Sequence, residues 1–365
     1  MSETVEPESD STPSGDAQNR AYDFWPQDPG PGPQQPAVPP PAKNGSATGP
    51  RDRKKIRIGL WGSPRSGKTT YLAALRIAAH EPVSGYDWVV SGRNPASQDF
   101  IIDKVNELVD KLAFPIPTVG VNELEWNFQG NRERRAGNWL ARLFDRLTAS
   151  GAGESDIEFI VHLQDAAGET YGETASRAQV ESLMHHLMHA DGIVYLFDPI
   201  GNAEEELTSF KFFFATLERL AAQLRAEGRL ERGRLPHDIS VCVTKFDDPA
   251  IFQAAMEAHV VYQVEPGSIP NVPPEIAGDF LDSICEDDRS RFVLQSLRKS
   301  FLPERIQYFA TSSIGFRVDP RRGFDFASCA NVDENGKLLS APTPINTLEP
   351  IISLAERIRR RLEAQ

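Results

Sequence analysis

Residues 62–69 read Gly62-Ser63-Pro64-Arg65-Ser66-Gly67-Lys68-Thr69, and this octapeptide limits the fold more than any other stretch of the 365-residue chain. It follows Ile56-Arg57-Ile58-Gly59-Leu60, which alternates as a strand does, and opens a helical stretch over residues 68–79. The spacing Gly-x-x-x-x-Gly-Lys-Ser/Thr has a physical purpose. Glycines let backbone amides turn inward as an anion-binding nest, and the helix N-terminus behind them adds partial positive charge. The lysine of such a loop reaches the β- and γ-phosphates of a nucleotide, and the hydroxyl after it ligates Mg²⁺. Gly62, Ser63, Ser66, Gly67, Lys68, Thr69 and Thr70 are therefore candidate phosphate-binding residues, and Thr69 is also a candidate metal ligand.

Two more elements follow apolar, strand-like runs. Asp165-Ala166-Ala167-Gly168 comes after residues 157–163, where an aspartate ending a buried strand can hold Mg²⁺ and the Gly168 amide can meet a γ-phosphate. Thr244-Lys245-Phe246-Asp247 comes after residues 239–243. The Asp247 carboxylate can accept from the N1–H and N2–H of guanine, groups that adenine does not present in that arrangement, while the Lys245 stem packs along the base. That element argues for GTP over ATP. Taken alone, Asp-x-x-Gly is a common sequence, and the second tetrapeptide is equally readable as a charged turn.

Further strand-like runs lie at 121–128, 193–197 and 306–310, with helical patterns between them and over 202–229 and the C-terminus. Such alternation implies an α/β fold with a mostly parallel sheet covered by helices on both faces. The N-terminal segment is different. Eleven of the 28 prolines fall in residues 1–50, with seven acids against Arg20 and Lys43, so this tail is expected to be disordered. Its aromatic cluster, Tyr22, Phe24 and Trp25, reads either as part of a linker or as a docking segment. Net charge is −13, so no nucleic-acid partner held by bulk charge is expected. Three cysteines make no disulfide framework, no apolar run reaches membrane-spanning length, and a cytoplasmic setting follows as the simpler expectation.

The motifs GSPRSGKT, DAAG and TKFD, in that order and with Thr311-Ser312-Ser313 after the run IQYFA, resemble the Ras-like, translation-factor (TRAFAC) class of P-loop GTPases. The resemblance covers residues 56–363 in outline and is specific only at the motifs. It implies a six-stranded sheet with one antiparallel strand, GTP/GDP and Mg²⁺ as ligands, and a base-contacting role for Ser312 and Ser313. It also implies a switch threonine that binds Mg²⁺. Thr118, in the stiff segment Phe114-Pro115-Ile116-Pro117-Thr118, is the candidate, although a simple proline-rich turn remains open. This segment and the run GKTTYLAAL are similar to the bacterial double-GTPase type, whose members are associated with predicted signalling or conflict systems. Two departures stand out. Glu169 occupies the position where relatives carry a water-orienting glutamine, which points to intrinsic hydrolysis that is either slow or differently arranged. Arg65 is a candidate cis arginine for transition-state charge, or a residue facing solvent or a partner.

The catalytic expectation is therefore Lys68, Thr118, Glu169 and Arg65, with Mg²⁺ on Thr69, Thr118 and Asp165. The expected function is a Mg²⁺-dependent GTP-hydrolysing switch, and the alternative is a nucleotide-binding scaffold that barely hydrolyses. Residues 1–50 are the tail, and 51–365 one enlarged domain with helical insertions at about 80–117, 129–155 and 250–300. Those insertions and the tail offer surfaces for a protein effector. Glu181, His185 and His189 share a helical face, which reads as a metal site or as histidines favoured by the helix dipole.

Overall fold

Strand β1 (Lys55–Gly62) is buried at nearly every position after Arg57, as a central strand flanked on both sides must be. The computed structural model describes residues 55–63, 65–116, 121–132, 157–166, 177–200, 203–265, 267–285, 287–319 and 321–364. Within it, β1 pairs in parallel with β4 (Ile157–Ala166) on one side and with β5 (Gly192–Phe197) on the other. The sheet continues in parallel through β6 (Asp238–Val243) and β7 (Ile306–Ala310). On the far side β3 (Val121–Arg132) runs antiparallel to β4, and β2 (Tyr86–Gly92) antiparallel to β3. The order is β2-β3-β4-β1-β5-β6-β7.

The result is an α/β fold with a mostly parallel sheet in which β3 alone runs against the others. Among the described residues this sheet has seven strands, not six. The additional strand, β2, lies in the stretch 80–117 that was expected to be helical. Its cause is local. Ser84 and Gly85 both have positive φ (55° and 78°), and Val83 and Tyr86 exchange two backbone hydrogen bonds across them. This is the turn geometry that favours reversal into a hairpin-like strand. Trp88 and Val90 then point inward while Asp87 and Val89 point out.

Helices cover both faces because the strands are apolar on both. Along β5 and β6, Ile193, Tyr195, Phe197, Ile239, Val241 and Val243 pack into one core, whereas Val194, Leu196 and Cys242 pack into the other. The second core is closed by α1 (Lys68–Ala78), α2 (Pro95–Val109) and α8 (Glu349–Glu363). The first is closed by α3 (Arg177–His189), α4 (Ala203–Ala226), α5 (Pro249–Glu257), α6 (Ala277–Ile284) and α7 (Asp288–Ser300). Each fully buried leucine, isoleucine or phenylalanine contributes about 1.5–3 kcal/mol, so the two layers supply most of the driving force. The stretch 250–300 carries α5, α6 and α7, with a non-helical segment between α5 and α6. Of the insertion expected at about 129–155, residues 129–132 continue β3, and 133–155 lie outside the described residues.

The arginines that end α8 have a structural use. Arg361 and Arg357 reach Asp238 at 3.1 and 3.9 Å and donate to the Pro236, Asp191, Arg305 and Ile239 carbonyls, tying the helix to the amino edge of the sheet. The chain divides between Gly49 and Pro50, and residues 50–365 make one compact unit. Among the described residues no helix is long and apolar enough to cross a membrane. Gly62, Ala166, Phe197, Val243 and Ala310 end β1, β4, β5, β6 and β7 on one edge, the edge where open α/β sheets place their ligands.

Candidate functional site

The loop after β1 is held tightly against its neighbour strand. A Cβ on Gly62 would lie 2.5 Å from Ser66 Oγ and 3.1 Å from Leu196 Cβ, so only glycine permits this approach. Ser66 N–H donates to Ser63 O at 3.2 Å, closing the turn, with Arg65 (φ 64°) and Gly67 (φ 84°) in left-handed conformations. The loop then runs into α1 with no side-chain cap and no acid in the first turn. An uncapped helix start without competing carboxylates is a seat for an anion.

Lys68 occupies the centre of the loop. Its residue is only 7 % exposed, and Nζ donates to Gly62 O at 2.9 Å and Ser63 O at 2.7 Å. Two loop carbonyls thus help to fix the ammonium across the loop mouth. The Ser66 hydroxyl is buried and has no hydrogen-bond partner among the described residues. Thr69 and Thr70 are half-buried in the first turn of α1. Asp165 lies in β4 opposite Asn122 of β3, three positions beyond the Arg57↔His162 pair. Its side chain, and Pro64, Thr118, Gly168 and Glu169, lie outside the described residues.

The far end of the edge carries the second half of the site. Thr244 donates its N–H and its hydroxyl to Phe197 O at 2.8 and 3.1 Å, clamping β6 to β5. Its hydroxyl proton is directed at the protein, not at solvent. Lys245 has φ 58°, and its Nζ lies 2.7 Å from Asp198 Oδ2. Asp198 is half-buried, with its side chain only 8 % exposed, and its other oxygen accepts from Ile200 N–H at 3.0 Å. Phe246 packs edge-on against Phe252, Phe280 and Phe316, which anchors the segment from below.

Asp247 and Ser312 are 65 residues apart and meet directly. Ser312 Oγ donates to Asp247 Oδ1, and accepts from Gly315 N–H at 2.7 Å. Ser312 is fully buried, and its backbone exchanges two hydrogen bonds with Ile345, while Thr347 Oγ1 donates to its carbonyl. Burial pushes the Asp247 carboxyl up to about 6, against the lowering effect of the Ser312 hydrogen bond. Ser313 is half-buried beside this pair in sequence.

Sequence reasoning missed Asp198, Gly315 and Thr347. Asp198 carried the same signal as Asp165, an aspartate directly after a buried strand. The histidine face of α3 is engaged internally: His189 Nδ1 lies 2.7 Å from His185 O, and His186 Nε2 lies 3.3 Å from Ile58 O. Among the described residues no group of three or more histidine, cysteine, aspartate or glutamate side chains could hold a metal ion. All three cysteines are free and buried. No protein-family model matches the chain, and a search of curated proteins finds no match.

Proposed function

We propose that this edge binds GTP with Mg²⁺ and hydrolyses it, and that the protein is a molecular switch of the Ras-like, translation-factor class of P-loop GTPases. The observation that carries the reading is the shared edge of the sheet. The loop filled by Lys68 and the Asp247 carboxylate oriented by Ser312 both stand there, with uncapped α1 between them in sequence. An incoming phosphate exchanges the two loop carbonyls on Lys68 for anionic oxygens, a stronger, charge-assisted contact. Thr69 and Asp165 offer oxygen donors that suit Mg²⁺, which when bound neutralises charge on the β- and γ-phosphates. Thr118 and Gly168 would follow the γ-phosphate and relax on its release, and Glu169 and Arg65 would act on the attacking water and the developing charge. The Asp247 carboxylate accepts from guanine N1–H and N2–H, and Lys245, held upright by Asp198, lines the base.

The test is GTP and ATP affinity with Mg²⁺, followed by single-turnover hydrolysis, for wild type and Asp247→Asn. Preference for ATP, or guanine binding indifferent to Asp247, sinks the reading. Tight GTP binding with no hydrolysis above background leaves the scaffold instead of the switch.

The acidity of Asp247 supplies a further check. A carboxyl raised to about 6 is protonated below that pH and then offers one acceptor fewer to guanine. GTP affinity is therefore expected to be level above pH 7 and to fall about tenfold by pH 5. The Asp247→Asn variant, weak throughout, lacks this component, which separates it from protonation of the phosphates. A wild-type pH profile parallel to that of the variant counts against the role given to Asp247.

A further inference from the structure

Asp198 stands between the two halves of the site. It is the first residue beyond β5, and β5 lies between β1 and β6 in the sheet. On one side the register sets Gly62 opposite Leu196, so the phosphate loop leaves β1 beside the tip of β5. On the other it sets Val243 opposite Phe197, so Thr244 and Lys245 leave β6 beside the same tip. Ser63 and Asp198 accordingly line one cleft.

The lysine is tied at both ends. Thr244 N–H donates to Phe197 O at 2.8 Å and Phe246 N–H to Thr311 O at 3.1 Å, so the Lys245 backbone, at φ 58°, hangs between two fixed neighbours. Its side chain is partly exposed, and a four-carbon stem of this kind sweeps freely unless its head is held. Asp198 holds it, with Oδ2 2.7 Å from Nζ, while Oδ1 accepts from Ile200 N–H at 3.0 Å. The pair is reciprocal. The carboxylate gives the ammonium one place to be, and the ammonium offsets a negative charge that stands in the same cleft as the phosphate loop. Because the carboxylate is little exposed, that offset is screened less than it would be at a surface.

We infer that Asp198 is a positioning residue for nucleotide binding that acts through Lys245, an inference that rests on the GTP reading above. Its carboxylate makes no contact with the nucleotide. It holds the Lys245 ammonium at the tip of β5 and so lays the lysine stem along the base position before the ligand arrives, which lowers the ordering cost of binding. It is compatible with the nearby phosphates only while the ammonium is in place. Asp198 therefore helps binding when Lys245 is present and hinders it when Lys245 is absent. A residue that merely supported the fold of the tip would give the same service in either background.

The experiment is a double-mutant cycle of wild type, Asp198→Asn, Lys245→Met and the double variant, read as GTP and GDP affinity with Mg²⁺. Asparagine keeps an oxygen for Ile200 N–H and puts an NH₂ group where Oδ2 met the ammonium. Methionine keeps an unbranched apolar stem without the charge. Asp198→Ala, which offers no acceptor in either orientation, repeats the first arm and excludes a flipped amide. Each Asp198 variant is expected to bind GTP and GDP about tenfold more weakly, by the same factor for both because the effect lies on the base side. Lys245→Met should lose about tenfold or more. The double variant should bind no more weakly than Lys245→Met, and up to about threefold more tightly, since no carboxylate then opposes the phosphates.

Wild-type affinity in both Asp198 variants overturns the inference and leaves the GTP reading standing. So do additive losses, about 100-fold in the double variant, which mark a structural role for Asp198. So does a loss confined to GTP with GDP unchanged, which moves Asp198 to the γ-phosphate. A wild type that binds no guanine nucleotide removes the functional reading and this inference together.

Discussion

Replacing Gly315 by alanine is expected to destabilise the protein by about 2–5 kcal/mol and to remove the proposed guanine recognition from whatever folded population remains. Gly315 has φ 64°, and a Cβ built on it would stand 1.8 Å from Thr343 O and 2.7 Å from the Thr343 carbonyl carbon. The obstacle is backbone, so no rotamer change relieves it. A non-glycine residue in the left-handed region costs about 1–2 kcal/mol, and overpacking of a tight site about 1–3 kcal/mol more. The neighbourhood has little room to yield. Thr343 N–H donates to Ile314 O at 2.9 Å, Ile345 N–H to Ser312 O at 2.8 Å, and Phe316 is buried against Phe246 and Phe252. Any displacement also moves the Gly315 N–H away from Ser312 Oγ, and with it the hydroxyl that orients Asp247. Thermal unfolding and GTP affinity together check this. A wild-type melting temperature refutes the packing argument. A lowered melting temperature with unchanged selectivity for GTP over ATP instead refutes the link from Gly315 through Ser312 to the base.

The two halves of the site differ in how far the sequence exposes them. The phosphate loop is local. Gly62, Lys68 and the strand and helix around them fall within one continuous segment, residues 55–78, and the observed β1 and α1 match the expected strand and helix to within one or two positions. The base side depends on topology. Asp247 and Ser312 meet because β6 and β7 pair in parallel with Val243 opposite Ala310, which brings the residues after each strand to one level. A one-dimensional pattern shows both strands but not that they are neighbours. Strand β2 and the start of helix α5 carry local signals in the sequence. Ser-Gly before an alternating run signals β2, and Asp248-Pro249, with Asp248 accepting from Ala250 N–H at 2.9 Å, is a helix start spelled in two residues. Asp198 needed only the rule already applied to Asp165.

For Lys68→Ala the expected result is a GTP affinity at least about 10²-fold weaker with little change in the stability of the nucleotide-free protein. Two opposing effects decide the second part. Removing the side chain deprives Gly62 O and Ser63 O of a donor, and an unmet buried carbonyl costs about 1–3 kcal/mol. Burying an ammonium among carbonyls has its own desolvation cost, which the substitution removes. The vacated space opens on the loop mouth, where water can reach the carbonyls, so the two effects cancel to within about 1 kcal/mol. Binding has no such cancellation. The wild-type ammonium gains charged phosphate oxygens as acceptors, and a hydrogen bond to a charged group is worth about 1.5–3 kcal/mol, with direct charge attraction added in a site shielded from water. A loss of about 2.7 kcal/mol or more is a factor of 10² or more in affinity. Thermal unfolding separates the two. Without nucleotide, wild type and variant should melt within a few degrees of each other. With GTP at 10³ times its wild-type dissociation constant, wild type gains about 4 kcal/mol and the variant less than half of that. Equal stabilisation of both by GTP means that Lys68 holds the loop without holding phosphate, and the loop is then not the nucleotide site.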